Sequence, residues 1–220
     1  MNDILRISDL IGKDQYVIPV YQRDFAWGPQ ELERLVSDIE NARKAGIERY
    51  YIGTLVTFNR NGVFEVVDGQ QRLTAISILL TLSDYDDHIN LSYEARGKSE
   101  YALSRLREHC PEEGTAHPFY SSARLFAEFL KDLDKSLFFS YLREHVHILR
   151  LELAESIDLN HYFELMNSRH RQSEECDVLL AQLLSLAEDD RDHELIRVVW
   201  DGISRFDRFV QQGIAERVWN

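Results

Sequence analysis

The chain has 220 residues, of which 44% are hydrophobic and 29% charged, and this suits a buried core in one domain or two closely joined subdomains. Its formal net charge of −13 argues against general DNA binding by the chain alone, because an acidic surface repels a phosphate backbone. No run of 18 apolar residues predicts a membrane span. The two cysteines, 110 and 176, form neither a disulfide framework nor a metal-ligand spacing, so we expect a cytoplasmic protein.

The acidic charge is unevenly distributed along the chain. Residues 1–72 carry 9 Lys and Arg against 11 Asp and Glu, whereas residues 73–220 carry 16 against 27. The near-neutral first third is therefore compatible with a local anion-binding pocket.

The first 83 residues alternate between strand and helix patterns, read from hydrophobic periodicity and turn residues. Asn61-Gly62 is the strongest hairpin signal, and Pro29 suits the first position of a helix. The predicted elements are an extended segment at 16–22, a helix from 29 to about 46, hairpin strands at 50–58 and 63–67, and a helix from about 73 to 83.

After residue 83 the pattern is mainly helical. Residues 84–97 are polar and predict a loop, whereas the alternating stretch 145–153 predicts one strand that joins the sheet. Helices are predicted near 100–109, 121–133, 157–166, 174–187, 191–200 and 203–218. The fold class is therefore α+β, with an N-terminal subdomain over 1–83 and a mainly helical subdomain over 84–220.

The stretch VVDGQQR at residues 66–72 leads from the hairpin into a helix and admits two interpretations. In the first, Asp68 caps the helix and Gln71 completes a capping box. In the second, the unpaired N–H groups of the helix N-terminus bind a phosphate that Arg72 grips with two parallel hydrogen bonds. Gln70 could then orient a water for attack, and Asp68 could hold Mg²⁺ or accept a proton.

A second stretch, PVYQRDFAW at residues 19–27, combines aromatic and polar side chains. Its rings could simply belong to the core, with Arg23 on the surface. Alternatively, Tyr21 stacks on a base, Gln22 contacts a base edge and Arg23 supplies positive charge. Because the two stretches flank one hairpin, we expect them to line a common cleft.

Together, PVYQRDFAW and DGQQRLT about 40 residues later resemble the N-terminal domain of the GmrSD-type restriction enzymes, a modification-dependent bacterial phage-defence family. Residues 161–187 resemble the family's later signature more loosely. The resemblance implies a ParB/sulfiredoxin-like mixed sheet with helices. It also implies that the block from Asp68 to Arg72 binds and hydrolyses a nucleoside triphosphate.

Site residues follow from this resemblance by position. The implied catalytic residues are Asp68, Gln70, Gln71 and Arg72, and Asp68 is also the implied Mg²⁺ ligand. The implied nucleotide contacts are Tyr21, Gln22, Arg23, Gly69, Asn167 and Arg169. His170 stands where the family usually has glycine, so we expect that turn to differ in shape.

The family commonly carries a C-terminal nuclease domain of the His-Asn-His type, which we expect in a longer form of this protein or in a partner chain. The eight histidines here include only one close pair, His145 and His147, and we expect both to be structural. The leading hypothesis is a nucleoside triphosphatase that regulates a restriction or phage-defence system. A non-catalytic nucleotide switch and a protein-interaction module remain alternatives, and direct endonuclease action is the least favoured.

Overall fold

The computed structural model describes residues 2–85, 87–108 and 117–154, and residues 1–153 form one compact unit. The strands are β1 (Asn2–Arg6), β2 (Gln15–Ile18), β3 (Tyr50–Arg60), β4 (Val63–Asp68), β5 (Asn90–Tyr93) and β6 (Val146–Leu153). The helices are α1 (Ile7–Leu10), α2 (Pro29–Lys44), α3 (Gln70–Leu80), α4 (Gly97–Arg107), α5 (Pro118–Phe129) and α6 (Lys135–Glu144). None of these helices is both long and apolar enough to cross a membrane.

The strands form one mixed sheet in the order β1-β6-β3-β4-β2-β5. The pairs β6–β3, β4–β2 and β2–β5 are parallel, whereas β1–β6 and β3–β4 are antiparallel. This mixed sheet packed with helices confirms the predicted α+β class, and the strand predicted at 145–153 joins the sheet as β6.

The β3–β4 hairpin turns at Asn61 and Gly62, as predicted. Both residues have left-handed backbone angles, with φ of 55° and 88°. The Asn59 side chain supports the turn by accepting the Gly62 N–H at 2.9 Å. Asn-Gly suits this geometry because both residues tolerate positive φ.

Helix α2 also begins and ends as the sequence predicts. Pro29 is its first residue, and the Glu31 carboxylate accepts the Gly28 N–H at 2.9 Å. Gly46, with φ of +69°, follows its end. The apolar side that faces the core consists of Leu32, Leu35, Val36, Ile39 and Ala42.

The prediction of a loop over 84–97 is wrong, because β5 lies within it and pairs with β2. Leu91 and Tyr93 are buried, whereas Asn90 and Ser92 are half-exposed. Four alternating residues between charged flanks are too short a signal to stand out from a polar segment. Strand β1 and helix α6 were not predicted either.

Several predictions fall on residues beyond the described ranges. They are the helices near 157–166, 174–187, 191–200 and 203–218, together with the signature at 161–187. The division into subdomains 1–83 and 84–220 therefore stays a prediction.

Candidate functional site

The turn between β4 and α3 depends on Gly69, which has a left-handed φ of +88° and forms the N-cap of α3. A Cβ atom on Gly69 would lie 2.7 Å from the carbonyl oxygen of Thr54, so only glycine lets β3 approach this closely. No side chain caps the first turn of α3. The capping box predicted for Asp68 and Gln71 is therefore wrong, because the helix begins one residue later than that motif requires.

The amide of Gln71 instead holds the segment that follows β2. Its Nε2 donates to the carbonyl of Asp24 at 2.9 Å, and its Oε1 accepts the N–H of Ala26 at 2.8 Å. Gln70 binds the same segment, because its Nε2 donates to the carbonyl of Arg23 at 3.2 Å. Both glutamines are buried, so these bonds satisfy amide groups that would otherwise be costly to bury.

Gln22 makes the reciprocal contact from the second motif. Its Nε2 donates to the carbonyl of Val67 at 2.6 Å, just before the turn into α3. The stretches 19–27 and 66–72 are thus bound to each other by side-chain amides. The sequence predicted that they lie close together, although not that three amides join them.

Arg72 lies against β3. Its Nη1 donates to the carbonyl of Thr54 at 3.2 Å. The guanidinium covers Gly53, where a Cβ atom would lie 2.8 Å from Nη1 and where φ is +117°. Gly53 coincides with a register shift in the β3–β6 pairing, and a glycine in such a position marks a close approach.

Arg72 has no ion-pair partner among the described residues. Within the described part of the chain, no carboxylate lies within 4.0 Å of its guanidinium, and Thr54 is its only hydrogen-bond acceptor. Burial lowers the pKa of Arg72, while the nearby groups Asp68 and Tyr50 act in the opposite sense. The side chain is half-buried, and none of its nitrogens is among the fully buried, unpaired polar atoms of the described residues.

The side chains of Tyr21 and Arg23 are exposed beside these amides. Tyr21 is 48% exposed, and its hydroxyl donates to Glu65 at 2.5 Å. Burial of that hydroxyl and its bond to Glu65 raise the pKa of Tyr21. The residue is therefore about half exposed, while its hydroxyl is fixed to the sheet.

Arg96, a residue that the sequence did not indicate, binds the same segment. Its Nη2 donates to the carbonyls of Gln22 and, at 3.3 Å, Val20, and its Nη1 donates to that of Arg23 at 3.4 Å. Its Nε lies 3.2 Å from the Asp24 carboxylate. Arg96 follows β5 in the stretch predicted as a loop, and only the pairing of β5 with β2 brings it here.

The remaining predicted residues are less constrained by the structure. Asp68 is half-exposed, and among residues 2–85, 87–108 and 117–154 no three His, Cys, Asp or Glu side chains group around a metal position. One carboxylate suits Mg²⁺ that is held mainly by phosphate oxygens and water. Asn167 and Arg169 lie outside the described residues.

The close histidine pair has backbone partners. His145 Nδ1 lies 3.0 Å from the carbonyl of Glu48, and His147 Nδ1 lies 2.8 Å from the carbonyl of His145. Both contacts fit the structural role expected for these two rings.

Comparison with known proteins identifies one family. The model described as "GmrSD restriction endonuclease, N-terminal domain" matches residues 7–184 of the chain. This range contains both motifs and five of the six described strands, and β1 ends at Arg6, just before the range begins. No curated protein matches the chain significantly.

Proposed function

The chain belongs to the family of GmrSD restriction endonuclease N-terminal domains, which implies a role in a restriction system, and on this premise we propose that it binds a nucleoside triphosphate at the first turn of α3. The nuclease of that system, of the His-Asn-His type, would lie in a longer form of this protein or in a partner chain. The system would restrict foreign DNA as a defence against phage.

The single observation that carries the proposal is the state of Arg72. A half-buried arginine that has one hydrogen bond, to Thr54, and no carboxylate within 4.0 Å, among the residues described, keeps N–H donors that an anion could bind. Such a fork matches the oxygens of a phosphate in a bidentate manner. The uncapped first turn of α3 adds backbone N–H groups and the positive end of the helix dipole.

The neighbouring segment supplies the remaining contacts. The aromatic ring of Tyr21 would stack against a base or sugar, and Arg23 adds a second positive charge. Gln22 and Gly69 shape the wall of the site, Gln22 through its bond to Val67 and Gly69 through its close approach to β3.

Hydrolysis is the first form of this proposal. A bound Mg²⁺ would neutralise charge on the triphosphate, and Asp68 would help hold it. Gln70 uses only its Nε2 among the described residues, so its Oε1 is available to orient a water. Arg72 would then stabilise the charge that develops on the transferred phosphoryl group.

A non-catalytic nucleotide switch is the second form, and one observation favours it. Gln71 uses both its Nε2 and its Oε1 to hold residues 24 and 26, so an amide assigned to catalysis is already engaged by the backbone. Binding that tightens this segment could gate a partner nuclease without turnover.

Phosphate release and calorimetry separate these forms. The protein is incubated with each of the four nucleoside triphosphates and Mg²⁺, alongside Arg72→Met and the control Arg124→Met, an exposed arginine of α5. Release that Arg72→Met abolishes supports hydrolysis, and binding without release supports the switch. Absence of both binding and release in the wild-type protein contradicts the proposal.

A further inference from the structure

The segment that presents Tyr21 and Arg23 has little regular backbone structure of its own. Residues 21–28 lie outside helices and strands, after β2 and before α2. Before Gly28, which accepts the Leu32 N–H at the start of α2, a backbone hydrogen bond of this segment runs from the Gln22 N–H to the carbonyl of Pro19 at 3.1 Å and marks a turn. Its geometry therefore depends on side chains that reach it from other elements.

The turn between β5 and α4 supplies two of those side chains. The Glu94 carboxylate accepts the N–H of Val20 at 3.1 Å. Arg96 binds the carbonyls of Val20, Gln22 and Arg23. Since Glu94 also donates its backbone N–H to Ile18 at 2.9 Å, the turn is fixed to the end of β2.

Every nitrogen of the Arg96 guanidinium takes part in this contact. Its three nitrogens all have acceptors on residues 20–24, and the side chain is only 16% exposed. A lysine ammonium could not reproduce this planar set of donors. The Asp24 carboxylate, in contrast, is 84% exposed and is the weakest part of the contact.

Ala95, which lies between Glu94 and Arg96, has an unusual backbone conformation. Ala95 has φ of +57°, in the left-handed region that alanine rarely adopts. This conformation lets Glu94 and Arg96 contact the same segment from successive positions. Strain that is maintained at a turn of this kind points to a role beyond simple connection.

We propose that Arg96 is a positioning residue for the nucleotide site, because it fixes the backbone of residues 20–23 so that Tyr21 and Arg23 meet the ligand in one geometry. This inference rests on the proposed function. A held segment loses less conformational freedom when the ligand binds, and affinity rises accordingly. Arg96 itself need not touch the nucleotide.

The test combines hydrogen exchange with nucleotide titration in the same variants. Arg96→Met removes the donors while keeping the apolar stem, and Arg96→Lys keeps the charge as a second, milder variant. The exposed Arg124→Met serves as the matched control. We expect peptide 19–27 of Arg96→Met to exchange at least about fivefold faster without ligand, while peptides of α3 keep their protection.

Nucleotide affinity should fall about tenfold in Arg96→Met and less in Arg96→Lys, with no change in Arg124→Met. If peptide 19–27 of Arg96→Met exchanged as slowly as in the wild type, the claim that Arg96 restrains this segment would be overturned. Faster exchange with unchanged affinity would overturn its positioning role. If the wild-type protein binds none of the nucleotides, the proposed function fails, and the exchange data still decide whether Arg96 restrains the segment.

Discussion

The guanidinium of Arg72 lies directly over Gly53, with Nη1 at 2.8 Å from the position that a Cβ atom there would occupy. The orientation of the site's principal cation is therefore set by the absence of a side chain on the neighbouring strand. Positive φ at Gly53 adds a second reason for glycine, independent of the contact.

Gly53→Ala should consequently damage both stability and ligand binding. Backbone strain and displacement of Arg72 together should cost about 2–3 kcal/mol of unfolding free energy. Gly62→Ala is the control, because Gly62 also has a positive φ, of +88°, but a Cβ atom there would meet no atom within 4 Å beyond its two chain neighbours. It should cost only about 1 kcal/mol in urea unfolding and leave affinity unchanged. If the two substitutions lowered the unfolding free energy and the affinity equally, the contact between Gly53 and Arg72 would be unimportant.

Gln71→Glu tests whether this amide is structural. The carboxylate can still accept the N–H of Ala26 but cannot donate to the carbonyl of Asp24, which is left unpaired beside a negative charge. We expect a loss of about 2 kcal/mol of unfolding free energy without any ligand present. Gln30→Glu, on the exposed side of α2, should have almost no effect. An unchanged urea midpoint for Gln71→Glu would contradict the role assigned here.

Asp68→Asn should have opposite effects with and without Mg²⁺. Without the cation, loss of a carboxylate near Arg72 removes repulsion of the triphosphate, so affinity should rise. With Mg²⁺ present, the variant lacks the carboxylate that helps hold the cation, so affinity should fall below that of the wild type. Calorimetric titrations in EDTA and in Mg²⁺ measure the nucleotide affinity in both conditions. A decrease of equal size in both conditions would argue against a role for Asp68 in holding Mg²⁺.

His117 makes stability depend on pH. Its Nδ1 accepts the N–H of Phe119 at 3.3 Å as the N-cap of α5, so only the unprotonated nitrogen can serve. Burial lowers the pKa of His117 below its usual 6.5, with smaller effects of Asp24, which raises it, and Lys98, which lowers it. The unfolded chain therefore takes up the proton first, and stability should fall as the pH drops below about 6.5.

His117→Asn retains a capping oxygen that does not titrate in this range. Thermal unfolding between pH 7.5 and 5.5 should show a smaller acid-induced loss for this variant than for the wild type. Part of the loss should persist, because burial also lowers the pKa of His147. If the melting temperatures of the two proteins fell equally with pH, the His117 cap would be ruled out as the titrating contact.

Sequence patterns predicted the parts of the fold that local chemistry determines. Pro29 and Gly46 delimit α2, and Asn61-Gly62 forms the hairpin turn because both residues tolerate left-handed angles. Strand β6 was predicted because its alternation extends over eight residues. The four-residue β5 could not be separated from a polar loop by the same criterion.

The candidate site shows the limits of local patterns more clearly. The adjacency of 19–27 and 66–72 was predicted, but the interpretation of Asp68 and Gln71 as a capping box was wrong because Gly69 takes the N-cap. Nothing local to Gln71 indicates that its partners lie 45 and 47 residues away. Arg96 was missed for the same reason, since its partners are 73 to 76 residues away. The roles of the predicted site residues in nucleotide chemistry remain predictions.

The most direct test of the account is calorimetric titration of Arg72 variants with the four nucleoside triphosphates. Arg72→Lys keeps the charge without the planar fork, and Arg72→Met keeps only the apolar stem. We expect affinity to fall about tenfold or more in Arg72→Lys and about a hundredfold in Arg72→Met, in variants that still unfold cooperatively. Wild-type affinity in Arg72→Met would contradict the claim that this guanidinium holds the phosphates.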